Sequence, residues 1–223
     1  MGNALWTGVR LGDVLDLAGA DLGPGGQVVG RSVDRWTAGF PTDVVTDGPE
    51  PLVAVGMNGD PLPAVHGFPA RLVVPGLYGY VSATKWLSGL DVVGWDEHDG
   101  YWVPRGWAKR APIKTQSRID VPRSGASVAP GSTVVAGVAW APGPGVESVE
   151  VGADGGEWIT AELATPLSSQ AWVQWRAEVE LAAGTHVLAV RATDGTGAVQ
   201  TPERASPRPD GATGHHTVSV RVG

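Results

Sequence analysis

Cysteine is absent from the 223 residues of this sequence. The absence excludes disulfide bonds, cysteine-bound zinc, iron–sulfur clusters and thiol catalysis within the chain itself. It does not decide the compartment in which the protein works, because proteins outside the cytoplasm can also lack cysteine.

Charge and long apolar runs are also scarce. Charged residues make up 17% of the chain and sum to −7, and no basic stripe is visible, so nucleic acid is not an expected partner. No run approaches about 18 apolar residues, and no basic segment followed by an apolar stretch opens the sequence. The given residues therefore predict a soluble chain without a visible targeting signal, and its location stays unassigned.

Turn formers, in contrast, are abundant. The chain has 33 glycines and 18 prolines without a periodic repeat, which favours many short strands joined by turns. In the first half, apolar residues at helical spacing predict a short helix over Val9–Ala18, capped by Gly19. The dipeptide Asn58-Gly59 predicts a β-hairpin turn, and Arg71–Val74 reads as a short strand.

Beyond the segment Pro112–Arg123 the pattern changes to strict alternation. Over Trp172–Leu181 apolar residues alternate with polar ones, and Val218, Val220 and Val222 repeat the pattern near the end of the chain. Period-two alternation with frequent turn signals predicts antiparallel strands that form an immunoglobulin-like β-sandwich.

The densest group of chemically competent side chains lies between His66 and Trp86. It includes Arg71, Lys85 and two hydroxyls, with glycines and prolines fixing the backbone between them. Arginine clamps a phosphate through two hydrogen bonds and lysine adds a point charge, so the group suits an anchored anion. On chemistry alone, a strand–turn–strand unit with ordinary solvated charges explains the same residues.

Several motifs resemble the sulfite oxidase family of molybdopterin-dependent oxidoreductases. The stretch HGFPARLVVPGLYGYVSATKWL at 66–87 is similar to the family's pterin-binding segment, and MNGDPL at 57–62 is similar to its MNGxPL motif. NALWTGV at 3–9 and DRWTAGFP at 34–41 resemble two further segments of that family. The second half, with GVAW at 137–140, resembles its dimerisation domain.

The resemblance assigns roles to individual residues. The positions that it implies as cofactor-binding are His66, Arg71, Lys85, Ser82, Thr84 and Asp34. Of these, His66 and Arg71 would bind the pyranopterin and its phosphate, and Asp34 would hydrogen-bond the pterin. Lys85 would hold the other polar edge of the cofactor, helped by one of the two hydroxyls. One residue more than the family pattern before Lys85 leaves the choice of hydroxyl open.

The resemblance also implies an architecture and a chemistry. It implies an α+β fold in which a partial molybdopterin-binding domain over residues 1–116 precedes an immunoglobulin-like dimerisation domain over residues 117–223. Molybdopterin would be the cofactor, and an oxygen atom or two electrons would be transferred at molybdenum. We expect a small oxyanion or a sulfoxide as substrate and a possible homodimer. The electron-transfer partner cannot be read from the sequence.

Aromatic and basic residues gather between Trp95 and Lys109. Tyr101, Trp102 and Arg105 are candidates for a substrate pocket, since a tyrosine and an arginine line the pocket of sulfite-oxidising relatives. A loop held in place by buried aromatic side chains is the alternative interpretation.

The cysteine that binds molybdenum in this family has no counterpart here, because the segment that would carry it should precede Met1. No catalytic residue and no metal ligand are therefore assigned. We expect an inactive piece of a longer protein, a wrongly assigned start, or a deliberately isolated part. The subgroup that the chain resembles implies a membrane-anchored parent facing outside the cytoplasm. A non-catalytic dimerisation or binding module is the alternative function.

A missing, packed N-terminal portion would leave apolar surface exposed. We therefore expect residues 1 to about 112 to be less stable than the sandwich that follows them.

Overall fold

The computed structural model describes residues 3–223, so Met1 and Gly2, which open the predicted first domain, lie outside the described residues. The chain divides into two compact units. The first contains the described residues up to Ile113 together with Arg208–Gly211, and the second contains Lys114–Pro207 and Ala212–Gly223. Each unit has its own cluster of buried apolar side chains.

The first unit consists of short strands and shorter helices. Its elements are β1 (Trp6–Arg10), α1 (Leu11–Leu17), β2 (Gly26–Ser32), β3 (Thr37–Pro41), α2 (Asp43–Thr46), β4 (Leu52–Met57), β5 (Asp60–Pro61), a 3-10 helix (Ala64–His66), β6 (Arg71–Val73), α3 (Gly79–Ser82), β7 (Leu87–Gly94) and a second 3-10 helix (Val103–Arg105). β4 lies between β1 on one side and β5 and β6 on the other, and β2 lies between β3 and β7.

The helix predicted over Val9–Ala18 is partly wrong. Val9 and Arg10 pair with β4, and the helix begins only at Leu11. Leu11 and Leu15 are the buried residues of α1, as their spacing of one helical turn requires. Gly19, with φ +66, confirms the predicted left-handed position after the helix.

The two other local predictions for the first unit are confirmed. Asn58 and Gly59 both have positive φ, 56° and 90°, and join β4 to β5 as a hairpin turn. The predicted strand Arg71–Val74 is β6, which ends one residue earlier, at Val73.

The second unit is an immunoglobulin-like sandwich of two antiparallel sheets, except that β9 runs parallel to β16. Its strands are β8 (Gln116–Val121), β9 (Ser127–Val128), β10 (Gly131–Trp140), β11 (Val146–Ala153), β12 (Trp158–Thr160), β13 (Glu162–Leu163), β14 (Val173–Leu181), β15 (Gly184–Asp194) and β16 (His216–Val222). One sheet has the order β13-β14-β10-β8 and the other β12-β11-β15-β16-β9.

The alternation that predicted the sandwich is confirmed in β14. Its residues are alternately buried and exposed from Val173 to Leu181, and Trp175 is only 2% exposed within the core. Val218, Val220 and Val222 are buried in the same core. The described chain is thus mostly β, and the helical part of the predicted α+β fold is not confirmed, since α1 has 7 residues and α2 and α3 have 4 each. Within the described residues there is no helix of the length and apolarity that a bilayer crossing needs.

Candidate functional site

The site is organised around the tight turn at Gly67, which follows the 3-10 helix Ala64–His66. Gly67 has φ +107, a conformation that favours glycine. A Cβ atom at this position would lie 2.9 Å from Lys85 Cβ and 3.2 Å from Arg71 Cβ. Glycine therefore allows the segments that carry His66, Arg71 and Lys85 to meet.

Arg71 begins β6 and is half-buried. Its Nη1 donates to the His66 carbonyl oxygen at 3.2 Å, and its guanidinium carbon lies 5.0 Å from the centroid of the Trp6 ring. Burial lowers the pKa of Arg71, although a guanidinium stays protonated in proteins. Among the described residues no carboxylate forms an ion pair with Arg71. Its charge is thus available to an anion.

Lys85 lies on the other side of Gly67. Its Nζ donates to the Val65 carbonyl oxygen at 3.2 Å and lies 4.8 Å from the centroid of the Trp86 ring. Within the part of the chain that the structure describes, no carboxylate lies within ion-pair distance of this ammonium group. Two cations with unused N–H donors therefore flank the same glycine.

Asp34 is an exposed side chain within the electrostatic reach of Lys85. The backbone N–H of Trp36, which donates to Asp34 Oδ1 at 3.0 Å, lowers the pKa of Asp34 most, and the Lys85 charge lowers it further. Asp34 therefore stays ionised and accepts hydrogen bonds.

The two candidate hydroxyls are not exposed with the cations. Ser82 is buried and its Oγ donates to the Tyr78 carbonyl oxygen at 3.1 Å. Thr84 is 0% exposed, and its Oγ1 has no hydrogen-bond partner among the described residues. A Cβ on Gly30 would lie 2.5 Å from this Oγ1, so the hydroxyl is packed against β2. Their roles toward a cofactor stay predictions.

Tyr101, Trp102 and Arg105 form a second, exposed cluster in the first unit. The Arg105 guanidinium carbon lies 3.8 Å from the Tyr101 ring centroid, and its Nη1 donates to the Tyr101 carbonyl oxygen at 2.6 Å. Tyr101 and Trp102 contact edge to face at 5.1 Å and are 41% and 37% exposed. Both rings are therefore accessible to solvent. A loop held in place by buried aromatic side chains, the alternative interpretation, does not require this accessibility. Their role in a substrate pocket stays a prediction.

Two tryptophans of the site received no individual role from the sequence, although Trp86 closes the predicted cluster that begins at His66 and Trp6 lies in one of the family motifs. Trp6 supports Arg71 across a large separation in sequence, and no local pattern indicates that contact. Trp86 supports Lys85 and follows it directly in the chain, so adjacency of a lysine and a tryptophan was the available signal.

Comparison with known proteins gives a family for each half of the chain. Residues 1–102 match the family model of the oxidoreductase molybdopterin binding domain, and residues 109–207 match that of the Mo-co oxidoreductase dimerisation domain. The chain is similar to sulfite oxidase of Gallus gallus, with 33% identity over 92% of this chain and 51% of that protein. It is similar to mitochondrial sulfite oxidase of Homo sapiens, with 32% identity over 83% of this chain and 39% of that protein.

A solved structure agrees with these matches. The sulfane dehydrogenase SoxCD from Paracoccus pantotrophus superposes with a TM-score of 0.77 and 27% identity, over 97% of this chain and 60% of that chain. The chain thus spans about half the length of the curated relatives it matches.

The two matched domains define the class of molybdopterin-binding oxidoreductases that have a dimerisation domain. The cofactor of this class is molybdopterin. The chain belongs to the sulfite oxidase family of these enzymes.

Proposed function

We propose that the first unit holds the phosphorylated pyranopterin of a molybdenum cofactor at the Gly67 turn. The observation that carries this proposal is the meeting of Arg71 and Lys85 at Gly67 without a carboxylate partner among the described residues. Charge-assisted hydrogen bonds from such groups are the strong contacts that a phosphate receives from proteins. An arginine that is half-buried and unpaired is poorly explained as an ordinary solvated charge.

Each of the remaining residues has a proposed part. His66, at the exposed end of its 3-10 helix, would add an imidazole donor to the phosphate or the pterin edge. Asp34, ionised and acceptor-only, would receive hydrogen bonds from pterin N–H groups. Of the two buried hydroxyls, that of Thr84 has no partner among the described residues, whereas that of Ser82 already donates to the Tyr78 carbonyl oxygen.

The chemistry of the complete protein also belongs to the proposal. When bound, the cofactor supplies the metal at which an oxygen atom or two electrons are transferred. Arg105, with Tyr101 and Trp102, would steer a small oxyanion or a sulfoxide by its positive charge. The 223 residues contain no cysteine, so they supply no thiolate to the metal. We therefore propose that this polypeptide alone has little or no turnover.

Cofactor retention tests whether Arg71 and Lys85 bind the cofactor at the Gly67 turn, an arrangement called the grip below. Purified chain would be mixed with molybdopterin, and retained pterin would be measured by fluorescence after gel filtration. Arg71→Ala and Lys85→Ala should each weaken binding about 10- to 100-fold, because each removes a charged hydrogen-bond donor. Arg176→Ala in the second unit, where Arg176 pairs with exposed Glu162, is the control and should bind like the unaltered chain. Equal retention by all variants would reject the grip.

Turnover is tested separately. Sulfite or sulfoxide turnover by this polypeptide with stoichiometric molybdenum would reject the proposed inactivity without rejecting the grip.

A second candidate function is assembly through the sandwich. The match of residues 109–207 to a dimerisation domain favours it. Such a dimer would pair one self-complementary patch from each copy. Light scattering over a concentration series should show a dimer, and a monodisperse monomer throughout would count against this function.

A further inference from the structure

Trp86 connects the segments that carry the proposed cofactor-binding residues. Its indole Nε1 donates to the Ala64 carbonyl oxygen at 2.8 Å, and its backbone N–H donates to the Gly67 carbonyl oxygen at 3.3 Å. Both contacts hold the turn that ends in His66. On the other side, the Trp86 carbonyl oxygen accepts the Val33 N–H at 3.0 Å, next to Asp34.

The backbone of Trp86 is itself unusual. Its φ of +50 places it in the left-handed region, which bulky side chains rarely adopt. This conformation is maintained by the three hydrogen bonds to neighbouring segments. A bulky residue held in such a conformation needs its surroundings to fix it, so the position is not that of an ordinary surface tryptophan.

The Trp86 ring also restricts Lys85. The ammonium nitrogen lies 4.8 Å from the ring centroid, within the range of a cation–π contact, and donates one hydrogen bond to the Val65 carbonyl oxygen. A free lysine side chain has high conformational entropy that binding must remove. Here the side chain is already held, while an ammonium group has three donors and only one has a hydrogen-bond partner among the described residues.

We propose that Trp86 is a positioning residue that fixes Lys85 and aligns the His66 turn with the Asp34 loop before the anion binds. The inference rests on the proposed function, because it assumes that Lys85 contacts a phosphate. Trp86 itself would contact no phosphate, and it would act through the residues that it holds.

Two variants separate the contributions of the ring and of the indole N–H. Trp86→Phe keeps an aromatic face under Lys85 but removes the donor to Ala64, whereas Trp86→Leu removes both. An exposed cation–π contact corresponds to a factor of about two to five in affinity. We therefore expect phosphate affinity to fall in Trp86→Leu by at least that factor and in Trp86→Phe by less.

The experiment is NMR on the full chain with ¹³C-labelled lysine, titrated with inorganic phosphate. In the unaltered chain the Lys85 methylene protons should be shifted upfield by the indole ring and should respond to phosphate. Trp86→Leu should lose the upfield shift and bind phosphate more weakly, while Trp86→Phe should partly restore both. A merely structural role would not produce this rescue by an aromatic ring.

Trp158→Phe is the matched control. This tryptophan lies in the second unit with the Arg191 guanidinium carbon 4.3 Å from its ring centroid, so the same substitution alters a cation–π pair elsewhere. It should leave the Lys85 signal and the phosphate response unchanged. Circular dichroism identifies any variant that does not fold, and Trp86→Phe then carries the test alone.

The outcomes distinguish the two proposals. A phosphate response that Lys85→Ala abolishes but neither Trp86 variant changes would overturn the positioning role and leave the grip intact. A Lys85 signal in the unaltered chain that does not respond to phosphate would overturn the grip, and the positioning role with it.

Discussion

At the scale of single residues, His186 gives the clearest expectation of pH dependence. Its Nδ1 lies 2.6 Å from Asp154 Oδ2 and its Nε2 lies 2.8 Å from the Ala182 carbonyl oxygen, so both ring nitrogens face acceptors. The hydrogen bond with Asp154 raises the pKa of His186 most, and the bond to Ala182 adds to it. The folded state therefore favours the doubly protonated ring.

The direction of the pH effect follows from these shifts. Because the pKa of His186 is higher in the folded protein than the unfolded value of about 6.5, protonated His186 stabilises the folded state. This stabilisation is complete at pH values below the unfolded pKa and is lost as pH rises through the folded pKa. The pKa of Asp154 is lowered, mainly by the Val187 N–H and then by His186, so its share is lost as pH falls through the folded pKa. His186→Gln should thus lower the melting temperature more at pH 5.5 than at pH 8. In an Asp154→Asn background, the effect of His186→Gln on the melting temperature should differ less between pH 5.5 and pH 8. A His186→Gln effect that does not depend on pH would contradict the proposed role of the His186–Asp154 pair.

Gly67 gives a second expectation at this scale. Gly67→Ala combines a strained φ of +107 with a Cβ placed 2.9 Å from Lys85 Cβ. We expect a loss of about 1–3 kcal/mol in the free energy of unfolding, measured by urea denaturation of the first unit. Gly76→Ala is the control, since Gly76 has φ +75 but no described residue other than its chain neighbours lies within 4 Å of the added Cβ. Equal losses in the two variants would show that crowding against Lys85 contributes nothing.

The two cationic side chains of this site could be predicted from the sequence, but the side chains that contact or bury the candidate residues could not. Arg71 and Lys85 lie in one short segment with distinctive motifs, so their proximity was predictable. The burial of Thr84 against Gly30 and the support of Arg71 by Trp6 depend on strand pairing between distant segments. Propensity and motif carry no information about such pairing, and the six candidate residues were therefore predicted as one group although two of them are interior.

At the scale of secondary structure elements, an element was predictable from the sequence where a local pattern determines it, and not where pairing with a distant strand does. The alternation in β14 reports directly which side chains face a core, so the strand was predicted with its buried face. The helix was predicted to begin at Val9 but begins at Leu11, because Val9 and Arg10 pair with β4. Local periodicity does not reveal this strand pairing. Long-range pairing again decides what the local pattern leaves open.

Trp175 in β14 allows a test of whether its ring volume or its indole N–H contributes more to stability. The residue is 2% exposed, and its indole Nε1 is buried without a hydrogen-bond partner among the described residues. Trp175→Ala should cost about 3–5 kcal/mol by leaving a cavity. Trp175→Phe should cost much less, because it removes the unsatisfied donor while keeping most of the ring volume. Chemical denaturation followed by circular dichroism measures both, and equal costs would contradict this expectation.

At the scale of the whole molecule, the two units differ in the amount of buried apolar surface. Among the described residues, the second unit contains 18 buried apolar residues and the first contains 12. Burial of apolar surface is the dominant favourable contribution to folding, so a smaller core provides less stability. The units are of similar length, which makes this difference relevant to their relative stability.

This difference argues that the first unit opens more readily than the second. Native-state hydrogen exchange measures local opening directly, and slow exchange marks the elements with the largest free energy of opening. Backbone amides of β2 and β7 should exchange faster than those of β14 and β15, even though all four strands are hydrogen-bonded within their sheets. Retained molybdopterin should slow exchange around the Gly67 turn and leave β14 unchanged, because a ligand stabilises the state that binds it. Equal protection of both units without cofactor would contradict the argument from core size.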